Sequence, residues 1–271
     1  MSASLLYLTD FYYQARGRNY YEEDLQITGY LKNYFNLVIA HPQQAIPFLN
    51  AANAVVIRNT GPAIYYLPYF QDFKREVTGR QLLSFNSLDG KADMQGKNYL
   101  VELTKKGYPV IPSIQQMQDL PLLGNSDKWV IKPLQGADSI DMQVISRLQL
   151  NGLDLHQKIV QPWISFEYEV SFYFLNNVFQ YALYAPDKQK RWQLAPYNAN
   201  AEDLQFAQQF IDWNQMQHSL QRVDACRLPD GRLLLVELED LNPYLSLDLL
   251  SSSQQEQFMN NFKTALQRML S

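Results

Sequence analysis

The amino-acid sequence predicts an N-terminal α/β lobe followed by α+β lobes. Over about the first eighty residues, apolar runs of strand length alternate with segments whose apolar residues recur at helical spacing. From Trp129 onwards, strand-like segments come in pairs that are joined by turn residues. The chain has 271 residues, of which 46% are hydrophobic and 18% charged. It can therefore bury a sizeable core in one large domain or two closely packed lobes.

The N-terminal elements follow a β-α-β-α-β order. Apolar runs at Leu5–Leu8, Leu37–Ala40 and Ala54–Ile57 predict buried strands. Helices are predicted over Tyr21–Tyr34, where apolar residues are spaced as on one helix face, over the short segment Ala45–Asn50 between the second and third strands, and, after the third strand, over Leu67–Glu76. This order predicts a small parallel sheet with helices on both faces, forming a first domain over residues 1–85.

The remaining chain, residues 86–271, is predicted to form a second domain with a small lobe at about 92–165 and a large lobe at about 166–271. It opens with a helix over Gly96–Lys106 and a strand at Val110-Ile111 that Pro112 ends. Further strands are predicted over Trp129–Lys132, Met142–Ile145, Lys158–Trp163, Tyr168–Leu175, Val178–Leu183, Gln221–Leu228 and Arg232–Leu238, with helices over Ala201–Trp213 and Gln254–Leu270.

Composition excludes several classes of function. Lys and Arg number 23 against 27 Asp and Glu, a formal net charge of -4, which argues against a dedicated nucleic-acid binder. A single Cys excludes an internal disulfide framework and a Cys-rich zinc site. The 11 glycines are scattered, which disfavours a glycine-rich phosphate loop. With no basic N-terminal region and no apolar run of membrane length, the sequence predicts a soluble, cytoplasmic chain without membrane association.

The hairpin around Pro229-Asp230-Gly231 brings charged residues onto one strand face. Residues two apart on a strand share a face, so Arg222 pairs with Asp224, and Glu237 with Glu239. Two interpretations are open. The charges form a solvated strand face, or the three carboxylates hold a divalent cation, since crowded carboxylates repel each other and Mg²⁺ prefers oxygen ligands.

Several other cations are candidates for anion binding. Lys132 ends a strand before a loop; it either lies on the surface or faces inward to meet an anion. Lys190 and Arg191, in the cluster Lys188–Trp192, belong to a solvated loop or contact a phosphate or an acidic substrate. Arg16 and Arg18 follow the first strand, where an α/β lobe presents ligand contacts, and are candidates for a substrate carboxylate. Cys226 is interpreted as core packing.

In order along the chain, these segments resemble the ATP-grasp superfamily, in the group that includes glutathione synthetase and D-alanine–D-alanine ligase. The resemblance is weak over the first eighty residues and stronger from Asn86 to Leu247. It rests on Lys97 before Lys106-Gly-Tyr-Pro-Val-Ile-Pro112, on Val130-Ile-Lys132-Pro, on Gln161-Pro-Trp-Ile164 with Glu169-Val-Ser171, and on Arg222-Val-Asp224 with Glu237-Leu-Glu239 before Asn242-Pro243.

The resemblance implies an ATP-grasp fold whose two α+β lobes clasp ATP, after an N-terminal α/β lobe. It implies that Lys97 and Lys132 neutralise phosphates, and that Glu169 holds the ribose. The adenine would meet Gln161, Pro162, Trp163 and Ile164. The loop with Gln135, Gly136 and Ser139 would close over the phosphates. One or two Mg²⁺ would bind Asp224, Glu237 and Glu239, and Arg222 would stabilise the transferring phosphoryl group.

The metal strand departs from the family pattern. Members usually have Glu-x-Asn, whereas this chain has Glu237-Leu-Glu239, with Asn242 three residues later. Either Glu239 replaces the amide ligand or Asn242 turns into the site.

The implied activity is that of an ADP-forming ligase, which activates a carboxylate as an acyl phosphate and joins it to an amine. The partners implied are small-molecule carboxylates and amines, with a homodimer as a further expectation. Two alternatives stand: a non-catalytic ATP-binding sensor, and a ligase that adds amino acids to a protein.

Overall fold

The N-terminal part of the chain is a parallel α/β unit. The computed structural model describes residues 2–15, 18–61, 63–135, 141–150 and 152–271, and leaves out the side chains of 15, 18, 63 and 64. The elements of this unit are β1 (Ser4–Leu8), β2 (Gln14–Ala15), β3 (Arg18–Asn19), α1 (Tyr21–Leu31), β4 (Asn36–Ala40), β5 (Ala54–Ile57), α2 (Leu67–Gly79) and β6 (Leu83–Phe85). Strands β4, β1, β5 and β6 form one sheet in that order, and its pairs are all parallel.

Both faces of this sheet are covered, as the sequence predicts. Alternate side chains of β1 point to opposite faces, so Leu5 packs with Ile27 of α1 while Leu6 packs with Phe73 of α2. The core on the α1 side also contains Phe262 from the C-terminal helix. The parallel sheet therefore packs directly against the end of the chain.

A second unit combines two helices with a small antiparallel sheet. It contains α3 (Asn98–Lys105), β7 (Lys128–Pro133), β8 (Gln143–Ser146), α4 (Arg147–Leu150) and β9 (Lys158–Pro162), with strand order β8-β7-β9. The predicted strand at Val110-Ile111 is wrong: Val110 forms an isolated bridge with Leu235 instead. The prolines at 109 and 112 explain this, because they lack the backbone N–H groups that a longer ladder needs.

The third unit is a five-stranded antiparallel sheet between helices. Its elements are β10 (Tyr168–Leu175), β11 (Val178–Ala185), β12 (Ala195–Pro196), α5 (Ala201–Asn214), β13 (Leu220–Arg227), β14 (Leu233–Glu239) and α6 (Ser252–Leu270), with strand order β12-β11-β10-β13-β14. On one face Phe172 and Val223 pack with α3 and α5; on the other, Tyr173 and Leu175 pack with α6. The α/β and α+β composition predicted from the sequence is confirmed.

The loop between β6 and α3 is fixed by a buried aspartate just beyond β14. Asp240 is fully buried and accepts hydrogen bonds from the backbone N–H groups of Ala92 (2.9 Å) and Met94 (2.8 Å). Its Oδ2 also accepts one from Asn214 Nδ2 at 3.0 Å. A Cβ at Gly90 would lie 2.3 Å from Oδ2 of Asp240, closer than real Cβ contacts. Position 90 therefore requires glycine for close approach.

We expect Gly90→Ala to lower the free energy of unfolding by about 1–3 kcal/mol, because the added methyl group would displace the buried Asp240 carboxylate. Gly79→Ala is the matched control: a Cβ there meets no described atom within 4 Å, and alanine is the better helix former. Urea denaturation of both variants measures the difference. Equal stability of the two variants would contradict the close approach.

Candidate active site

Strands β13 and β14 place an arginine and three carboxylates on one face of the antiparallel sheet. In the hairpin register, Arg222 lies opposite Glu239 and Asp224 opposite Glu237. The Arg222 guanidinium donates to both carboxylate oxygens of Asp224, at 2.9 Å each, and to Glu239 Oε1 at 2.6 Å. Ser171 of β10 donates to Asp224 Oδ1 at 2.6 Å. The predicted convergence of these charges is confirmed.

Two carboxylates stabilise the protonated guanidinium of Arg222. Burial lowers the pKa of its guanidinium, but the Asp224 and Glu239 carboxylates outweigh burial and raise the pKa well above its usual range. Arg222 also donates through Nη1 to the backbone oxygen of Tyr244 at 3.1 Å. It is thus a fixed cation, held by the strand pair and by the segment that follows it.

Lys97 reaches the third carboxylate from the start of α3. Its Nζ lies 3.0 Å from Glu237 Oε1. Burial raises the pKa of Glu237, but Lys97 and then Lys132 outweigh burial, so the pKa lies below its usual value. Gly96 has φ +89°, and a Cβ there would lie 2.5 Å from Gln135 Nε2. Glycine at position 96 therefore lets the chain pass close to Gln135 and position Lys97.

Lys132 is half-buried on β7 and does not line the cavity that contains the carboxylates. Burial lowers the pKa of its ammonium, and the neighbouring Lys97 and Arg191 lower it further, against an opposing effect of Glu237. Lys132 forms no ion pair with any residue that the structure describes.

The segment 161–164 lies at the end of β9, away from the carboxylates. Gln161 is buried and donates from Nε2 to Ser113 Oγ at 2.8 Å. Pro162 is buried, Ile164 half-buried, and Trp163 is 52% exposed, with its backbone N–H donating to Lys128. None of the four lines the cavity beside Arg222.

Glu169 and Arg191 form an ion pair that the sequence analysis did not identify. Arg191 donates from Nε and Nη2 to the two carboxylate oxygens of Glu169, both at 2.5 Å. Both residues line the carboxylate cavity, whereas Lys190 is exposed on the same loop. Their separation of 22 positions spans a hairpin and a loop, which is why no local pattern indicates the pair.

The remaining candidates lie on other walls or outside the described chain. Gln135 lines the cavity and donates to the Gln95 backbone oxygen at 3.3 Å. Asn242 also lines it, but its Nδ2 donates to Thr60 Oγ1 at 2.7 Å and to the Gly61 oxygen at 2.9 Å, on the N-terminal side. Arg16, Gly136 and Ser139 lie outside the described residues, as does the side chain of Arg18.

One cavity of about 650 Å³ joins the candidate residues that have described positions around it, namely Lys97, Gln135, Glu169, Arg191, Arg222, Asp224, Glu237, Glu239 and Asn242. Its walls come from the five-stranded sheet, from the start of α3 and from the N-terminal unit. The cavity thus spans all three units and is large enough for a small-molecule ligand.

The oxygen atoms of Asp224, Glu237 and Glu239 are the type of ligand that a hard divalent cation prefers, and all three carboxylates line one cavity. Here each is instead bound by a cationic side chain, Asp224 and Glu239 by Arg222 and Glu237 by Lys97. Within the described ranges, no group of three or more His, Cys, Asp or Glu residues is arranged to hold a metal. Metal binding would therefore require these ion pairs to rearrange.

We expect Lys97→Met to reduce stability most at neutral pH. Because Glu237 has a lowered pKa in the folded chain, its contribution is fully present above its unfolded pKa and is lost as pH falls through the folded pKa. The difference in unfolding free energy between wild type and variant should therefore shrink below about pH 4. Urea denaturation from pH 3 to 8 tests this, and a difference independent of pH would contradict it.

Comparison with solved structures identifies the fold. No protein-family model and no curated protein matches the chain. Among solved structures, D-cycloserine synthetase DcsG superposes with TM-score 0.72 and 19% identity, covering 99% of this chain and 100% of that one. D-alanine–D-alanine ligase from Bacillus anthracis, complexed with ATP, gives TM-score 0.69 at 12% identity, covering 99% and 96%. ATP-grasp ligase PsnB, complexed with minimal precursor, gives 0.62 at 13%, covering 100% of both chains. The chain therefore has the ATP-grasp fold.

Proposed function

We propose that this protein is an ATP-grasp superfamily ligase that uses ATP and Mg²⁺ to join a carboxylate to an amine, with release of ADP and phosphate. The observation that supports it most is the convergence of Arg222, Asp224, Glu237, Glu239 and Lys97 on one cavity in a chain with the ATP-grasp fold. Alternating cations and carboxylates suit a polyphosphate bound together with a divalent cation.

In this proposal the nucleotide lies between the β7–β9 sheet and the five-stranded sheet. Lys132 binds a phosphate, which would supply the anion that it lacks among the described residues. Lys97 binds a second phosphate when it leaves Glu237. The segment 161–164 binds the adenine, the loop from Gln135 covers the phosphates, and Glu169 exchanges Arg191 for the ribose hydroxyls.

The metal-binding residues would be Asp224, Glu237 and Glu239, with Asn242 held on the opposite wall by Thr60. Bound Mg²⁺ supplies neutralisation of the charge on the β- and γ-phosphates. Arg222 remains beside these carboxylates and stabilises negative charge on the transferring phosphoryl group and on the tetrahedral adduct. The Tyr244 backbone oxygen, which is not a proposed metal ligand, also accepts from Arg222, so this contact can keep the guanidinium in place when the carboxylates bind the metal.

The reaction needs positioning and no side-chain nucleophile. A carboxylate oxygen of the acid attacks the γ-phosphorus, and the bond to the β-phosphate oxygen breaks to release ADP. The neutral amine then attacks the acyl carbon, phosphate leaves, and the nitrogen loses one proton to form the amide. Cys226 takes no part: it is fully buried, and burial raises the pKa of its thiol to about 11.

We expect Asp224→Asn to lower the rate of ADP formation by about 100-fold or more while the fold is retained, because a proposed Mg²⁺ ligand and a charged acceptor that holds Arg222 are lost together. Asp230→Asn, in the exposed turn of the same hairpin, is the matched control and should keep the wild-type rate. ADP release is measured across a panel of acids and amines, with circular dichroism as the check on folding.

The same experiment distinguishes the alternatives. Mg²⁺-dependent ATP binding without ADP release for any acid and amine would favour a nucleotide sensor. A mass increase on a polypeptide, without a small-molecule product, would favour a protein-modifying ligase. Unchanged ADP release by Asp224→Asn would contradict the role assigned to that carboxylate.

A further inference from the structure

The wall of the cavity opposite the carboxylates is built by the N-terminal unit. Helix α2 presents Leu67, Phe70, Gln71 and Lys74 to the cavity, at the spacing of one helix face. Tyr20 also lines it and stacks on Tyr244 at 4.3 Å between ring centroids, with an interplanar angle of 11°. None of these side chains is assigned to the proposed nucleotide site.

Lys74 differs from the other cations of the cavity. Of the four lysines and arginines that line it within the described residues, Lys97, Arg191 and Arg222 each form an ion pair with a carboxylate. Lys74 is half-buried and forms no ion pair with a described residue. A half-buried ammonium that faces a cavity is complementary to an anionic group on a ligand.

Two buried polar atoms point to a ligand as well. Asn59 is 2% exposed and Tyr173 1% exposed, and both line the cavity. The Asn59 Oδ1 and the Tyr173 hydroxyl have no hydrogen-bond partner among the described residues. Since a buried polar atom without a partner destabilises the protein, a bound ligand that satisfies such an atom gains affinity. An amide oxygen such as Oδ1 accepts, so the matching ligand group is a donor such as an amino N–H.

We infer that this wall is a substrate subsite for an amino dicarboxylic acid, which is the acid that the enzyme activates. One carboxylate reacts beside Arg222, the second binds Lys74, and the amino group donates to Asn59 Oδ1. The inference rests on the proposed function, since it places the reacting carboxylate at the proposed phosphoryl-transfer site. It makes Lys74 a specificity-determining residue for substrates with a second anionic group.

The test uses acids of matched length in both enantiomers where they are chiral. Glutamate has a second carboxylate and an amino group, glutarate only the carboxylate, norvaline only the amino group, and valerate neither. Aspartate, succinate, 2-aminobutyrate and butyrate form the shorter set. Calorimetry measures their dissociation constants with Mg²⁺ and a non-hydrolysable ATP analogue present. We expect glutamate or aspartate to bind about 10-fold or more tightly than the matching monocarboxylic amino acid, as for a charged hydrogen bond.

The variants separate a specific contact from general electrostatics. Lys74→Gln should reduce that preference to less than about 2-fold, while Lys74→Arg should keep most of it. Arg75→Gln is the control: Arg75 is one position further along α2, in an exposed pair with Asp72. The substitution also removes one positive charge, and it should leave the preference for the second carboxylate unchanged. A wild type that binds Mg²⁺ and the ATP analogue but shows no preference for the second carboxylate overturns the subsite alone. An unchanged preference in Lys74→Gln overturns it too. Absence of Mg²⁺-dependent nucleotide binding by the wild type overturns the proposed function, and the subsite with it.

Discussion

A buried arginine that follows a strand of the N-terminal sheet links this unit to the segment after β14. Arg58 follows β5, is fully buried, and donates to Glu23 Oε1 at 3.3 Å and to the Pro243 oxygen at 2.9 Å. Glu23 in turn accepts from the backbone N–H groups of Leu245 (3.0 Å) and Leu247 (3.2 Å). The network thus joins α1 and β5 to the segment that leaves β14. Removal of one partner would leave a buried charge uncompensated, which is strongly destabilising. This buried network therefore links the N-terminal unit to the segment that follows strand β14.

The register of the β13–β14 hairpin determines how the charged side chains of the cavity are paired. Because Arg222 lies opposite Glu239 and two residues from Asp224, one cation meets two carboxylates on the same strand face. Lys97 neutralises Glu237 from another unit. Three carboxylates can then share one cavity without strong mutual repulsion. Phosphate groups of a ligand can pair with Arg222 and Lys97, while a divalent cation bound with them can pair with the three carboxylates. Either component alone would leave some of these charges unpaired. Together with Arg58, this explains how a highly charged cavity remains compatible with a stable fold.

Elements and contacts formed by residues close in the sequence could be predicted, whereas contacts between residues far apart in the sequence could not. Strands β13 and β14, and the shared face of Arg222 and Asp224, follow from alternation and a turn signal, so they could be predicted within a residue or so. The pairing of Glu169 with Arg191 could not, because a hairpin and a loop separate them. Acidic residues in the first turn of a helix are commonly solvated and interact with the helix dipole, yet Glu23 and Asp24 in the first turn of α1 are buried. Their partner Arg58 comes from a strand end more than thirty positions later, and no spacing rule relates the two.

The structure constrains side chains more strongly on the carboxylate face of the cavity than on the wall formed by α2. This difference affects which of the two can change when the substrate changes. The carboxylate face is fixed by backbone pairing of β10, β13 and β14, so one changed side chain there disturbs several charges at once. The opposite wall depends on α2, which is anchored to the parallel sheet through Phe73 and Val77 and presents Lys74 from an adjacent face. A substitution at Lys74 leaves that anchoring and the ion pairs of the other wall intact. The chemistry proposed for the cavity can therefore stay constant while the N-terminal wall alone selects which acid enters.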